Sequence, residues 1–404
     1  MVQARNEEGQ TQCNFDLSSI HFLLVTSMVI GFEAQRIFRE NKHGMDFVAL
    51  ELIKALRRLD TENKYVVFTN KGPDTACLPE SDNLKIVTFG GTFIVWEQLL
   101  LPKYVKKFAC DILHCTSNTA PLYLNVPTVV TIHDIIYLEN NPLFAEGYTA
   151  YQRFGNYYRR LVVRVNMRRA KKIVTVSNFE RKRLIDFLKL PSEKVDVVYN
   201  GVASHFFERT TEEEAQKVLK RHKLPNKYFL FLGNTDPKKN TRNTILAFAG
   251  FVQQSGQDVY LVVADLDGEL VRDILRSEGL SEYFSQIHFT GYIDNKDLPV
   301  IIQKSNLFLY PSKRESFGIP ILEAMAGGVP VITSNRASMP EVSGDAAFLI
   351  DPFNVNSMTE GMLTLFGNEK LKEKLATQGM ERASTFNWDN SAKQMLGIYK
   401  KVFR

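Results

Sequence analysis

Residues 311–332 read PSKRESFGIPILEAMAGGVPVI. The apolar run that leads into it, NLFLYPS (306–312), has the pattern of a buried strand and ends in a loop that holds Glu315. Gly318 follows, then Ile319-Pro320, and proline suits the first turn of a helix because its missing N–H has no partner there anyway. The helix carries Glu323, Gly327-Gly328 stop it, and the next strand starts at Val329. A strand that passes through a flexible loop into a helix start makes an anion site. The N–H groups of Phe317, Gly318 and Ile319 are placed to face a phosphate with the helix dipole behind them; an ordinary αβ connection with solvated glutamates is the plain alternative. Gly318 lets a ligand approach the backbone closely. Glu315 in the loop is placed to accept hydrogen bonds from sugar hydroxyls, and Glu323 in the helix from a ribose diol.

The same alternation extends in both directions. Strand-like runs are MVIGF (28–32), YVVF (65–68), KIVTF (85–89), ILHC (112–115), TVVTI (128–132), KIVTVS (172–177) and VDVVYN (195–200). A second series is YFLFLG (228–233), VYLVVA (259–264), QIHFTG (286–291), NLFLYPS, VPVITS (329–334) and AAFLID (346–351). Helical patterns lie between them, among them 47–59, 148–170, 243–254 and 356–366. Strands alternating with helices predict parallel sheets, and roughly thirteen strands are too many for one. The series breaks at the polar stretch 201–225, so two doubly wound domains are expected, with a hinge just after Tyr199-Asn200-Gly201. In 386–404, Trp388, Met395, Ile398, Tyr399 and Val402 share a helical face that must dock on its own domain or back on the first one. Residues 1–27 are largely polar and unpatterned. They are expected to be a flexible extension or the product of an upstream start, the alternative being an extra strand in IHFLLV (20–25).

Composition sets the outer bounds. A chain of 404 residues suits two or three domains. With 44% hydrophobic and 24% charged residues it is not disordered, collagenous or coiled-coil. A net charge of +5 is too weak to imply nucleic-acid binding, and suits a protein that handles phosphates or visits anionic lipid. Cys13, Cys77, Cys110 and Cys115 form no C-x-x-C pair, which points to a reduced intracellular chain. The longest apolar stretch, Ile20–Phe32, is interrupted by His21, Thr26 and Ser27 and falls short of the roughly 20 residues a bilayer requires.

Further motifs lie at strand ends. In GNTDPKKNT (233–241), Lys238 and Lys239 stand at the mouth of a strand, placed to neutralise a diphosphate, and Asn240 is a helix-cap residue; a solvated, capped helix start is the plain alternative. In TVVTIHDIIYLENNP (128–142), His133-Asp134 sit at a strand's carboxyl end, where open sheets bind ligands. His133 there either orients an acceptor hydroxyl or is structural. Gly44 precedes an amphipathic helix, and Ser177 caps another. Tyr148, Tyr151, Phe154, Tyr157 and Tyr158 interleave with Arg153, Arg159, Arg160, Arg164, Arg168 and Arg169, a helix suited to anionic membrane or to plain solvation. Asp265-Leu266-Asp267 spells D-x-D without further ligands, a weak metal site.

On these residues the chain resembles the family 4 glycosyltransferases. Glu315 and Glu323 form that family's E-x7-E pattern inside PS-x-x-E-x-FG-x-P-x-LEAMA-x-G-x-PV, with Ser316 where such enzymes usually have glycine. Lys239 matches the family lysine that holds the donor pyrophosphate; Asn234 stands where many members have arginine, a gap Lys238 would fill. The His133-Asp134 pair and Ser177 match positions that face the cleft. The family's G-x-G loop is represented by Gly44 with Asp46 at the second glycine position. The resemblance spans about 28–404 and implies an α/β GT-B fold: two Rossmann-like doubly wound domains with an interdomain cleft. It implies an acceptor-binding domain over 28–201, a nucleotide-sugar-binding domain over 202–385 and a C-terminal helix, 386–404, crossing back to the first.

The resemblance also implies retaining transfer of a hexose-type sugar from a GDP- or UDP-sugar to a glycan or lipid-linked acceptor, in cell-envelope or capsule polysaccharide assembly. No cofactor, metal or nucleic acid enters. The enzyme would be cytoplasmic, with peripheral contact at the inner face of the membrane. His133 and Glu315 would be catalytic. Lys239, Asn234, Lys238, Phe317, Gly318, Ile319 and Glu323 would bind the donor, and Gly44, Asp134 and Ser177 would lie on the acceptor side. The leaving phosphate would itself take the acceptor proton. The rivals are a GT-B epimerase, a phosphorylase and a non-catalytic partner. No motif marks the first two, and the third would have lost Glu315, Glu323 or Lys239, all of which are present.

Overall fold

The computed structural model describes residues 27–40, 42–139 and 150–403. The expectation for the leading extension therefore falls outside the described residues, apart from Ser27. Strands β1 (Val29–Glu33), β2 (Lys64–Thr69), β3 (Leu84–Thr88), β4 (Ile112–Cys115), β5 (Thr128–Ile132), β6 (Lys172–Thr175) and β7 (Val195–Val197) form one sheet in the order β3-β2-β1-β4-β5-β6-β7. A second sheet takes β8 (Tyr228–Phe231), β9 (Tyr260–Ala264), β10 (Ile287–Gly291), β11 (Leu307–Tyr310), β12 (Val331–Ser334) and β13 (Phe348–Ile350) in the order β10-β9-β8-β11-β12-β13. Every pairing is parallel. These are the two doubly wound halves of a GT-B fold. The central strands read as apolar runs because helices cover both sheet faces there, so consecutive side chains are buried.

Six helices matter for the site: α1 (Gly44–Leu59), α2 (Ala150–Arg169), α3 (Asn178–Leu188), α4 (Thr241–Ser255), α5 (Ile319–Ala326) and α6 (Trp388–Phe403). No helix among the described residues is long and apolar enough to cross a membrane. The chain passes between the halves twice, side by side. Val202 N donates to Phe386 O at 2.9 Å, and Ser391 Oγ donates to Tyr199 O at 2.6 Å. A Cβ on Gly201 would sit 2.5 Å from Trp388 N, so only glycine permits this crossing. Beyond it, α6 packs on α1 and β4 of the first half. Met395, Ile398, Tyr399 and Val402 are buried there with Leu52, Ile53 and Leu56. Tyr399 OH and His114 Nδ1 share a hydrogen bond of 2.7 Å, and His114 Nε2 reaches Thr131 Oγ1 at 2.7 Å. Burial pushes His114 down to about 3, so this ring is neutral.

Candidate active site in the cleft between the halves

In an open parallel sheet, ligands collect outside the carboxyl ends of the strands where the order reverses. In the second sheet that point lies between β8 and β11. The loops after these two strands carry Lys239 and the segment 311–318. Lys239 Nζ donates to Glu315 Oε1 at 2.8 Å and to Tyr310 OH at 2.9 Å. Ser338 Oγ bonds the carbonyls of Glu315 and Phe317, both at 2.9 Å, and so shapes the loop. Gly318 has φ 102°, which a side chain would strain, and α5 then starts with Pro320 in its first turn. The N–H groups of Phe317, Gly318 and Ile319 donate no hydrogen bond among the described residues. One turn into α5, the carboxyl of the half-buried Glu323 accepts none among the described residues, and burial pushes it up to about 7.

Other donor-side residues are differently employed. Asn234 is not turned toward an anion: its Oδ1 accepts from Asp236 N at 2.9 Å, closing a turn. Lys238 Nζ lies 3.5 Å from Asp236 and is not drawn to Glu315. Asn240 stands at the start of α4, but its side chain does not cap the helix. With φ 64°, Asn240 instead sends Nδ2 to the carbonyls of Pro311, at 3.1 Å, and Pro352, at 2.6 Å. Asp267 of the D-x-D accepts from Glu269 N at 3.0 Å and caps a helix.

In the first half the order reverses between β1 and β4. His133 follows β5 and is 7% exposed. Its Nε2 donates to Thr116 O at 2.9 Å, which leaves Nδ1 as the acceptor. Burial lowers its pKa and keeps the ring neutral. Beside the ring, Thr116, Asn200 and Ser391 help to line a space of about 20 Å³, room for one water. Asp134 Oδ1 accepts from Ile136 N at 3.1 Å. Gly44 opens α1, and a Cβ there would meet nothing within 4 Å. Asp46 is not a loop residue: it closes a capping box with His43 and pairs with Arg36 at 3.1 Å. At the end of β1, burial and the charge of Glu97 push the Glu33 carboxyl up to about 7, and its Oε2 is buried without a hydrogen bond.

The halves meet at the start of α3. Ser177 Oγ accepts from Glu180 N at 3.1 Å as the helix cap and donates to Ser316 O at 2.6 Å across the cleft. Glu341 accepts from Asn178 N at 2.7 Å, Phe179 N at 3.0 Å and Tyr199 OH at 2.8 Å. Arg314 reaches Glu139 in the other half. Sequence reasoning missed Glu33, Tyr310, Glu341 and the Arg314–Glu139 pair. The one signal available was adjacency, since Arg314 stands inside the quoted stretch next to Glu315.

Residues 43–205 match the model described as Glycosyltransferase Family 4, and residues 211–382 match the one described as Glycosyl transferases group 1. Each covers one half of the fold. The chain belongs to the family 4 glycosyltransferases. Among relatives in this family, O-antigen chain mannosyltransferase B of Escherichia coli is 32% identical over 57% of this chain and 61% of its own. The serotype-specific mannosyltransferase WbdA of Escherichia coli is 29% identical over 66% of this chain and 32% of its own length. The aligned region thus spans less than two thirds of these relatives. The structure of Anabaena Alr3699/HepE in complex with UDP and glucose superposes with a TM-score of 0.71, at 18% identity, over 93% of this chain and all of that one, a likeness of fold.

Proposed function

We propose that this family 4 glycosyltransferase moves a hexosyl group from a nucleoside diphosphate sugar to an acceptor hydroxyl with retention of configuration. The observation that carries it is the second half's switch point. Lys239 lies against Glu315 in the loops there, the N–H groups of Phe317, Gly318 and Ile319 at the helix start donate no hydrogen bond among the described residues, and the Glu323 carboxyl one turn on accepts none among them. Lys239 and the N–H groups of Phe317, Gly318 and Ile319 meet the charge that develops on the leaving diphosphate, so that no metal is called on. Glu323 accepts from the ribose diol and Glu315 from the sugar. The neutral His133 orients the acceptor, and the departing phosphate takes the acceptor proton. The names of the relatives favour a mannosyl group and a polysaccharide acceptor of the O-antigen kind. The structural neighbour is a complex with UDP and glucose, which favours a nucleotide ligand here as well.

Peripheral membrane contact belongs to the same reading. On α2, Tyr157, Leu161 and Val165 recur every four residues and are 57%, 54% and 39% exposed, with exposed Arg164 and Arg168 beside them. That face suits an anionic bilayer carrying a lipid-linked acceptor. Calorimetric titration with UDP and with GDP tests the donor half: one of them binds to the wild-type chain, and binding of neither contradicts the proposal.

A further inference from the structure

Arg314 precedes Glu315 by one residue and reaches out of the donor half. Its Nη1 donates to Glu139 Oε2 at 2.6 Å, while its Nη2 stops 3.6 Å from Glu180 Oε1, too long for a hydrogen bond. Arg183 bonds the other oxygen of Glu139. All three partners belong to the acceptor half: Glu139 ends the short helix Ile136–Glu139 that starts two residues after Asp134, and Glu180 and Arg183 lie on α3. Arg314, Glu139 and Arg183 are partly buried and Glu180 is wholly buried. Hydrogen bonds from Arg183 and Arg314 overcome burial and hold the Glu139 carboxyl below the usual range. Both oxygens of Glu180 and the Nε and Nη2 of Arg314 remain unspent.

The geometry points to Arg314 as a positioning residue, whose clasp on Glu139 and Glu180 sets the separation between His133-Asp134 and Glu315. The inference rests on the glycosyl-transfer reading above. The link is short on both sides: Arg314 is the immediate neighbour of Glu315, and Glu139 stands five positions after Asp134. Displacement of reacting groups by about 1 Å costs about a hundredfold in rate, so a tie at this place governs turnover without touching substrate. The 3.6 Å pair gives the clasp a second stage. A closure of under about 1 Å turns it into a charge-assisted hydrogen bond and joins α3 to the donor loop.

Arg314→Gln and Glu139→Gln test this, with Arg314→Lys as the conservative variant and Lys217→Gln, on an exposed helix, as the control. Small-angle X-ray scattering reads the opening of the halves. Calorimetry with UDP and GDP reads the nucleotide site. Turnover is followed with GDP-mannose as donor and p-nitrophenyl α-mannoside as acceptor. The clasp predicts a larger radius of gyration in both Gln variants, nucleotide affinity within about twofold of wild type, transfer at least about tenfold slower, a larger share of donor lost to water, and partial rescue by lysine. An unchanged radius of gyration with an unchanged ratio of transfer to hydrolysis overturns it. So does a tenfold loss of nucleotide affinity, which makes Arg314 a donor ligand instead. If the wild-type chain turns over no sugar nucleotide, the functional reading fails, and scattering still decides the clasp.

Discussion

Lys239 and Glu315 lie 2.8 Å apart, so under the proposed function an incoming diphosphate takes the lysine from a carboxylate already beside it. A charge-assisted bond to phosphate is worth about 1.5–3 kcal/mol, and about 1.4 kcal/mol is a factor of ten. Lys239→Ala is therefore expected to weaken UDP or GDP binding roughly tenfold or more by calorimetry. His133 lies in the other half, so His133→Ala is expected to keep nucleotide affinity near wild type while turnover falls. Glu323 adds a pH dependence. Its carboxyl, ordinarily near 4.5, is raised to about 7 by burial. Ribose hydroxyls donate to the ionised form, so its contribution is present above about pH 7 and is lost as the pH falls toward about 6. Glu33 and Glu180 titrate in the same range. The diagnostic is accordingly the difference between wild type and Glu323→Gln: the variant's affinity should change less from about pH 8 to about pH 6, and two parallel curves would remove Glu323 from the nucleotide site.

Single elements show why some features were legible and others not. The central strands read out because they are buried on both faces, as β11 is, and α5 because proline and paired glycines bracket it. Asn240 did not, because a sequence shows a good cap residue but not the carbonyls of Pro311 and Pro352 that outcompete the cap. Asp46 reads as a loop residue because the glycine spacing hides the capping box that starts α1 at Gly44. For α6, the pattern gave the apolar face; which surface it covers depends on the crossing at Gly201 and Trp388. That docking has a measurable worth. Met395→Ala is expected to cost about 2–5 kcal/mol in urea denaturation. Tyr399→Phe is expected to cost about 1–3 kcal/mol, because it leaves the buried His114 Nδ1 without its partner. A neutral Tyr399→Phe would mean that the bond to His114 contributes nothing to the fold.

At the scale of the whole molecule, the two halves were legible and their contact was not, because a single sequence carries no record of which surfaces face each other. Ser177 illustrates this: its cap could be read from the sequence, its bond to Ser316 O could not. Ser177→Ala removes both, and a loss of about 1–2 kcal/mol is expected. The Ser316 carbonyl that Ser177 holds belongs to the same loop as Glu315, so the proposed donor site and the interdomain contact share one loop. Glycosyl transfer by this chain requires that site to act on a sugar nucleotide. The most direct measurement is release of nucleoside diphosphate from a panel of UDP- and GDP-sugars by the wild-type chain and by Lys239→Ala. The prediction is release from at least one hexosyl donor, reduced about tenfold or more in the variant. Release undiminished by Lys239→Ala, or no release from any member of the panel, would contradict it.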